Sequence, residues 1–216
     1  LICGAGVKIS ELEQFCEKVF PSIHEMVRYF GSRQIKHRAT VGGNLCTASP
    51  IGDLAPVFLS LGAAIAVGSS KGERLIPIDD FFVAYRKTAL NRKEVVLRVE
   101  IPLPSPTSQS RSFKVSKRRE VDIATVSAGF TVDLDNDGRV RMARLAYGGM
   151  AAVPKRADHA EGALVGQSWN ASAVEVAAAA LAHDFSPQSD HRGSAAHRML
   201  VAQNLLRLFH AESVAR

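Results

Sequence analysis

This sequence predicts an α+β fold in two domains, on three observations. In the first half, apolar residues at helical spacing alternate with short strand-like runs. A stretch with three prolines and four Ser/Thr, Pro102 to Ser110, divides the chain almost in half. Beyond it, a strand–turn–strand pattern gives way to helical segments. The expectation is a mixed sheet with helices over residues 1–104, a linker over 105–111, and a small antiparallel sheet with helices over 112–216.

Length and charge agree with this division. The 216 residues allow one large domain or two of about 100 residues each. The balance of 27 Lys+Arg against 21 Asp+Glu gives +6. Lys114, Lys117, Arg118 and Arg119 cluster, but nucleic-acid binders carry a longer basic stripe and stacking aromatics, so none is expected to bind here. The cluster is either a bland basic surface or a patch that meets a dinucleotide or an acidic partner. Three cysteines, Cys3, Cys16 and Cys46, form an odd set without metal-type spacing. That favours a reducing, cytoplasmic setting. The apolar runs fall short of the ~20 residues of a membrane span, and no charged-then-apolar leader opens the chain. Leu1-Ile2-Cys3-Gly4 reads as a strand already under way, so a longer parent polypeptide is expected.

In order, Leu1 to Val7 is expected to be a short strand ending in glycine turns. Ser10-Glu11-Leu12-Glu13 has a capping-box pattern that starts a helix through Lys18. A second helix from Pro21 sets Ile23, Met26, Val27 and Phe30 at helical spacing. Asp53 to Leu59 is an expected helix with Asp53 as its cap. Ala64–Val67 and Arg74–Ile78 flank a glycine–serine tip as a hairpin. Val95, Leu97, Val99 and Ile101 alternate onto one face of a strand. Asp135-Asn136-Asp137-Gly138 is a hairpin turn between Ile123–Leu134 and Arg139–Tyr147; it lacks the glutamate that would complete a calcium loop. One helix is expected after Pro154, another from Ser172, and a last from Gly193 with Met199, Ala202, Leu205, Leu206 and Phe209 as its apolar stripe.

The chemistry concentrates between Ile35 and Pro56. Gly42-Gly43 lets the backbone approach a ligand closely. Thr40, Asn44, Thr47, Ser49 and Asp53 surround that pair with short hydrogen-bonding groups of both polarities. This is the composition of a loop that wraps a large, partly anionic cofactor by its main chain. His37 has no companion ligand, and Cys46 no base or second thiol, so neither is read as reactive.

Thr40-Val41-Gly42-Gly43-Asn44, the Ala48-Ser49-Pro50-Ile51-Gly52-Asp53 run, Tyr85-Arg86-Lys87-Thr88 and the Asp190-to-Arg198 run together resemble the FAD-binding segment of the molybdenum hydroxylases of xanthine dehydrogenase type. The second half resembles the CO dehydrogenase flavoprotein C-terminal domain. The resemblance implies a flavoprotein component that passes electrons from iron–sulfur clusters through FAD to NAD, in an enzyme that oxidises a purine at a molybdenum centre. Clusters and molybdenum cofactor would sit on other segments or subunits; no iron–sulfur cysteine pattern or metal site is recognisable in this chain. The family's glycine-rich first FAD subdomain is expected upstream of Leu1, and this segment alone is expected to be inactive. Related hydroxylases acting on CO, nicotinate or aldehydes, and a cofactor-free assembly module, are the alternative readings.

By the same resemblance, Phe30, Thr40, Val41, Gly42, Gly43, Asn44, Thr47, Ser49, Asp53, Val96 and Lys114 are the cofactor-binding candidates. From pattern alone Phe30 is equally a core residue, Asp53 a helix cap, Val96 a half-exposed strand residue and Lys114 a surface lysine. Tyr85 and Lys87 are the candidate contacts to NAD. No catalytic acid, base or nucleophile is expected, because the flavin carries the chemistry.

Overall fold

The computed structural model describes residues 1–215. β1 (Ile2–Gly4) is followed by α1 (Ile9–Val19), α2 (Pro21–Arg28), α3 (Arg33–Lys36), α4 (Val41–Cys46) and α5 (Leu54–Ser60). The hairpin β2 (Ala64–Ser69) and β3 (Gly72–Pro77) leads through α6 (Ile78–Phe81) to a small ribbon, β4 (Phe82–Ala84) and β5 (Lys87–Thr88), and then to β6 (Val95–Glu100). The first sheet has the order β1-β6-β2-β3. All its pairings are antiparallel rather than mixed: β2 and β3 form a hairpin, and β6 returns between β1 and β2, running opposite to both.

Local cues shift several expected boundaries. The first helix starts at Ile9, not Ser10: Lys8 is extended and bridged to Thr40, and the Glu11 carboxylate accepts its N–H at 2.9 Å. On β6, Val95 and Leu97 face outward while Val99 and Ile101 are buried. A bulge at Ala66/Val67 changes the register, so that buried Val67 pairs with Val96 and turns Val96 toward the core.

The second half is a meander of β7 (Ser108–Val115), β8 (Val126–Leu134) and β9 (Val140–Gly148), extended by β10 (Lys155–Arg156) in the order β10-β9-β8-β7. β7 begins inside the stretch expected to be linker. Its serines pair across the sheet, with Ser110 Oγ and Thr131 Oγ1 2.9 Å apart. Gly138 closes the β8–β9 hairpin at φ 72°. α7 (Asp158–Leu164), α8 (Ala171–Asp184) and α9 (Ala195–Val214) cover one face. α8 is capped by Asn170 rather than Ser172, its Oδ1 accepting from Ala173 N at 2.9 Å. On α9 the expected stripe buries Ala202, Leu205, Leu206 and Phe209.

Each half has its own hydrophobic core, and the two meet at α5, all seven of whose residues are buried. Glycine lets β8 lie against it, since a Cβ on Gly129 would stand 2.5 Å from Pro56 O. Polar ties also cross the seam. Arg144 Nε donates to Leu59 O at 2.8 Å, and its Nη2 meets Asp79 at 2.7 Å. Ser112 Oγ donates to Ser22 O at 2.6 Å. Among the described residues no helix is long and apolar enough to cross a membrane.

Candidate functional site

The glycine stretch is the first turn of α4 rather than an open loop. Thr40 is its N-cap, accepting from Gly43 N at 3.1 Å. The two glycines differ in what holds them. Gly42 is buried, its N–H donates to Ala5 O at 2.9 Å, and a Cβ there would lie 2.7 Å from Ala5 Cβ. Gly43 is exposed, and a Cβ there would meet only Thr40 Oγ1, at 3.0 Å. Closeness at Gly42 therefore serves the chain's own packing, while the side of Gly43 is open. Val41 is fully buried in the first core. Thr47 is exposed and donates to Gly43 O at 2.9 Å.

A cavity of about 460 Å³ gathers Phe30, Asn44, Ser49, Asp53 and Lys114 from three separated stretches. Such a volume lies in the range of small-molecule sites. Phe30 stands just beyond α2, partly packed on the core and partly lining the cavity. Asp53 does not cap α5. Its backbone is already helical, at φ −71° and ψ −36°, and its carboxylate takes the Lys114 ammonium at 2.7 Å. Lys114 also donates to Tyr29 O at 3.1 Å. Burial pushes the Asp53 carboxyl above its ordinary value, with the charge of Lys114 opposing. Asn44 Oδ1 is buried without a hydrogen-bond partner among the described residues. A buried carbonyl left unpaired in a polar, lined cavity is what a ligand's donor would satisfy. The orphan oxygen, the open face of Gly43 and the Asp53 carboxylate fit a hydroxyl-rich dinucleotide such as FAD.

The loop after β7 supplies the facing wall with Arg118, Val121, Asp122 and Ile123. Val121 is held at φ 52°. A β-branched residue in that region is strained, and such strain collects at binding sites. The other non-glycine residues at positive φ among those described are Ala48 (45°), inside the glycine stretch, and Arg86 (54°), beside Tyr85.

Tyr85 lies outside this cavity. It is exposed and lines a second one of about 550 Å³, with Pro50 and Ile51 from the first half and Met150, Gln188, Asp190, Arg192 and Arg198 from the second. Ile51 lines both cavities. Arg198 is 3% exposed. Its guanidinium donates to Gly149 O at 3.1 Å and to Asp190 at 2.7 Å, and also to Thr125 O. Lys87 is exposed on β5 and lines neither cavity. Val96 packs on the first core and lines neither as well. The Asp190–Arg198 run, expected only as part of the family resemblance and given no site role, lines the second cavity. The signal available was a buried-type arginine spaced to meet Asp190 across a tight turn.

Residues 1–104 match the family described as FAD binding domain in molybdopterin dehydrogenase, and residues 111–213 match the CO dehydrogenase flavoprotein C-terminal domain. A xanthine dehydrogenase of Blastobotrys adeninivorans is 35% identical over 96% of the chain, and a nicotinate hydroxylase of Emericella nidulans is 33% identical over 95%. The chain spans 16% and 17% of the length of these two relatives. Among solved structures, a reconstituted CO dehydrogenase from Oligotropha carboxidovorans superposes with a TM-score of 0.89 at 26% identity, covering 96% of this chain and 72% of that one. Quinoline 2-oxidoreductase from Pseudomonas putida 86 gives 0.87 at 27% identity, covering 98% and 74%.

Proposed function

The chain belongs to the FAD-binding flavoprotein family of the molybdopterin dehydrogenases, and from that premise we propose that it is the flavin segment of a xanthine dehydrogenase-like molybdenum hydroxylase. The observation that carries this reading is the convergence of Phe30, Asn44, Ser49, Asp53 and Lys114 on one cavity, with Asn44 Oδ1 left unpaired. When bound there, FAD supplies the redox chemistry that links a one-electron donor to a two-electron acceptor. The chain's residues bind and orient. Asp53 accepts hydroxyl hydrogens through its carboxylate while Lys114 holds that carboxylate in place. Asn44 takes a donor on its orphan oxygen, and Phe30 offers an apolar face. Thr40, Val41, Gly42 and Thr47 set the α4 backbone that brings the open side of Gly43 to the cofactor. Val96 acts from behind, through the core.

In this reading NAD is the electron acceptor and docks in the second cavity, where Tyr85 presents a ring and Ile51 borders the flavin side. Lys87 sits further out and guides the anion by charge. A purine is the organic substrate, which the xanthine dehydrogenase relative supports. It is oxidised at a molybdenum centre on another segment or subunit, as are the iron–sulfur steps. The protein works in the cytoplasm, in purine catabolism; three free cysteines support a reducing compartment. The two separate cores support a division into domains at 1–104 and 112–216, with 105–111 between them.

The visible spectrum of the full-length protein tests the reading. Flavin bands are expected in the wild type and strongly reduced bands in Gly43→Val, whose side chain fills the open face. A colourless wild type would leave only an assembly module. Tyr85→Ala and Lys87→Ala are expected to raise KM for NAD, Tyr85→Ala by more. Both should leave purine oxidation with an artificial acceptor unchanged; equal losses in the two assays would remove NAD from the second cavity.

A further inference from the structure

Beyond Gly31 and Val121, which line the flavin-side cavity, the surface dips again into a depression of about 340 Å³ whose wall carries Arg28, Tyr29, Arg33, Lys36, Arg119 and Glu120. Lys36 is already committed. It is 9% exposed, sits 2.9 Å from Glu13 and donates to Arg28 O at 2.8 Å. The three arginines are exposed and have no ion-pair partner among the described residues. Tyr29 orders one of them, the Arg28 guanidinium lying over its ring at 5.7 Å. Glu120 is the one carboxylate on the wall.

Three like charges around one concavity repel each other, and a compact dianion turns that repulsion into attraction. Guanidinium forks match the oxygens of a phosphate in paired hydrogen bonds. Because Tyr29 already orders the Arg28 side chain, less rotamer freedom is lost on binding. We propose that this depression binds a phosphoryl group, from free inorganic phosphate or from a nucleotide, at a site separate from the flavin cavity. The inference stands apart from the flavin reading, since it uses none of that cavity's polar residues.

Calorimetric titration of the flavin-loaded, full-length protein with inorganic phosphate, and separately with ADP, tests it. One saturable site per chain is expected. Arg33→Gln should weaken it about tenfold and Arg28→Gln/Arg33→Gln by more, at unchanged flavin absorbance. Comparable saturation by both probes identifies free phosphate as sufficient, and tenfold or tighter binding of ADP identifies a nucleotide. Arg33 is an exposed side chain on a short helix, so the single variant reports on binding even where the double variant fails to fold. The proposal falls if neither probe saturates, if Arg33→Gln binds as the wild type does, or if phosphate releases flavin, which would make the depression part of the dinucleotide groove.

Discussion

The cavity proposed for the flavin and the larger one beside it share Ile51 but differ in how they treat their polar groups. In the larger cavity most polar contacts are internal, although Arg198 Nε is buried without a hydrogen-bond partner among the described residues. Arg198 is anchored on two carbonyls and a carboxylate, and Asp190 also accepts from Arg192 N at 2.8 Å and Gly193 N at 3.2 Å. In the smaller cavity Asn44 keeps a buried oxygen in reserve, and a carboxylate–ammonium pair sits almost out of water. Each cavity thus keeps one buried polar atom unpaired, and the two differ in its kind: a donor on a well-anchored guanidinium in the larger, an acceptor beside a buried ion pair in the smaller.

The hardest test of that contrast is the Asp53–Lys114 pair. Asp53→Asn leaves a buried ammonium uncompensated and is expected to cost about 3–5 kcal/mol, read by chemical denaturation. Asp53→Leu/Lys114→Met should restore most of that stability without restoring flavin. A double variant that keeps its flavin would show that the pair is there for packing alone.

Next in size is the split between neighbouring glycines. Gly42→Ala drives a methyl into Ala5 and should cost about 1–3 kcal/mol. In Gly43→Ala a helix-propensity gain of about 1 kcal/mol offsets crowding at Thr40. Stability should therefore hardly move while flavin content falls. If both variants lose stability alike, the open face of Gly43 is not a ligand face.

The smallest effect is one of sign with pH. Burial opposes ionisation of Asp190, but hydrogen bonds from Arg192 N, Arg198 and Gly193 N together bring its pKa down to about 2 from 3.8. The folded state therefore binds this proton less tightly than the unfolded chain. The resulting stability is present above 3.8 and is lost as pH falls through about 2. Asp53, whose pKa burial raises, has the opposite sign: its contribution declines as pH climbs from 3.8 through the raised value. Asp190→Asn should flatten the acid limb of the stability–pH curve, and Asp53→Asn should not. Identical curves for the two variants would erase the distinction between the cavities.

Much of this was legible in the chain and some was not, for physical reasons. The glycine stretch could be read because its short polar residues are contiguous. Its helical form could not, since two adjacent glycines argue against a helix and only Thr40, by capping Gly43, tips the balance. The capping expected of Asp53 is absent although a carboxylate before an apolar run is the ordinary signature of a cap; its ion-pair partner Lys114 is 61 residues away and invisible to local pattern. The outward turn of Val95 and Leu97 depends on a bulge in β6 at Leu97, set by its pairing with β2, which alternation within β6 does not record. The second cavity draws on segments near residues 50, 85, 150 and 190, whose meeting at one place no local pattern records.

Helix α5 carries a further consequence. Every one of its residues is shielded, by the first core on one side and by β8 and β9 on the other. A polypeptide cut in the proline-rich connector would leave this helix bare on one flank and Gly129 and Gly148 without the surface they were shaped to meet. The two halves are therefore expected to melt in a single transition and to be insoluble when made separately, however distinct their ancestry.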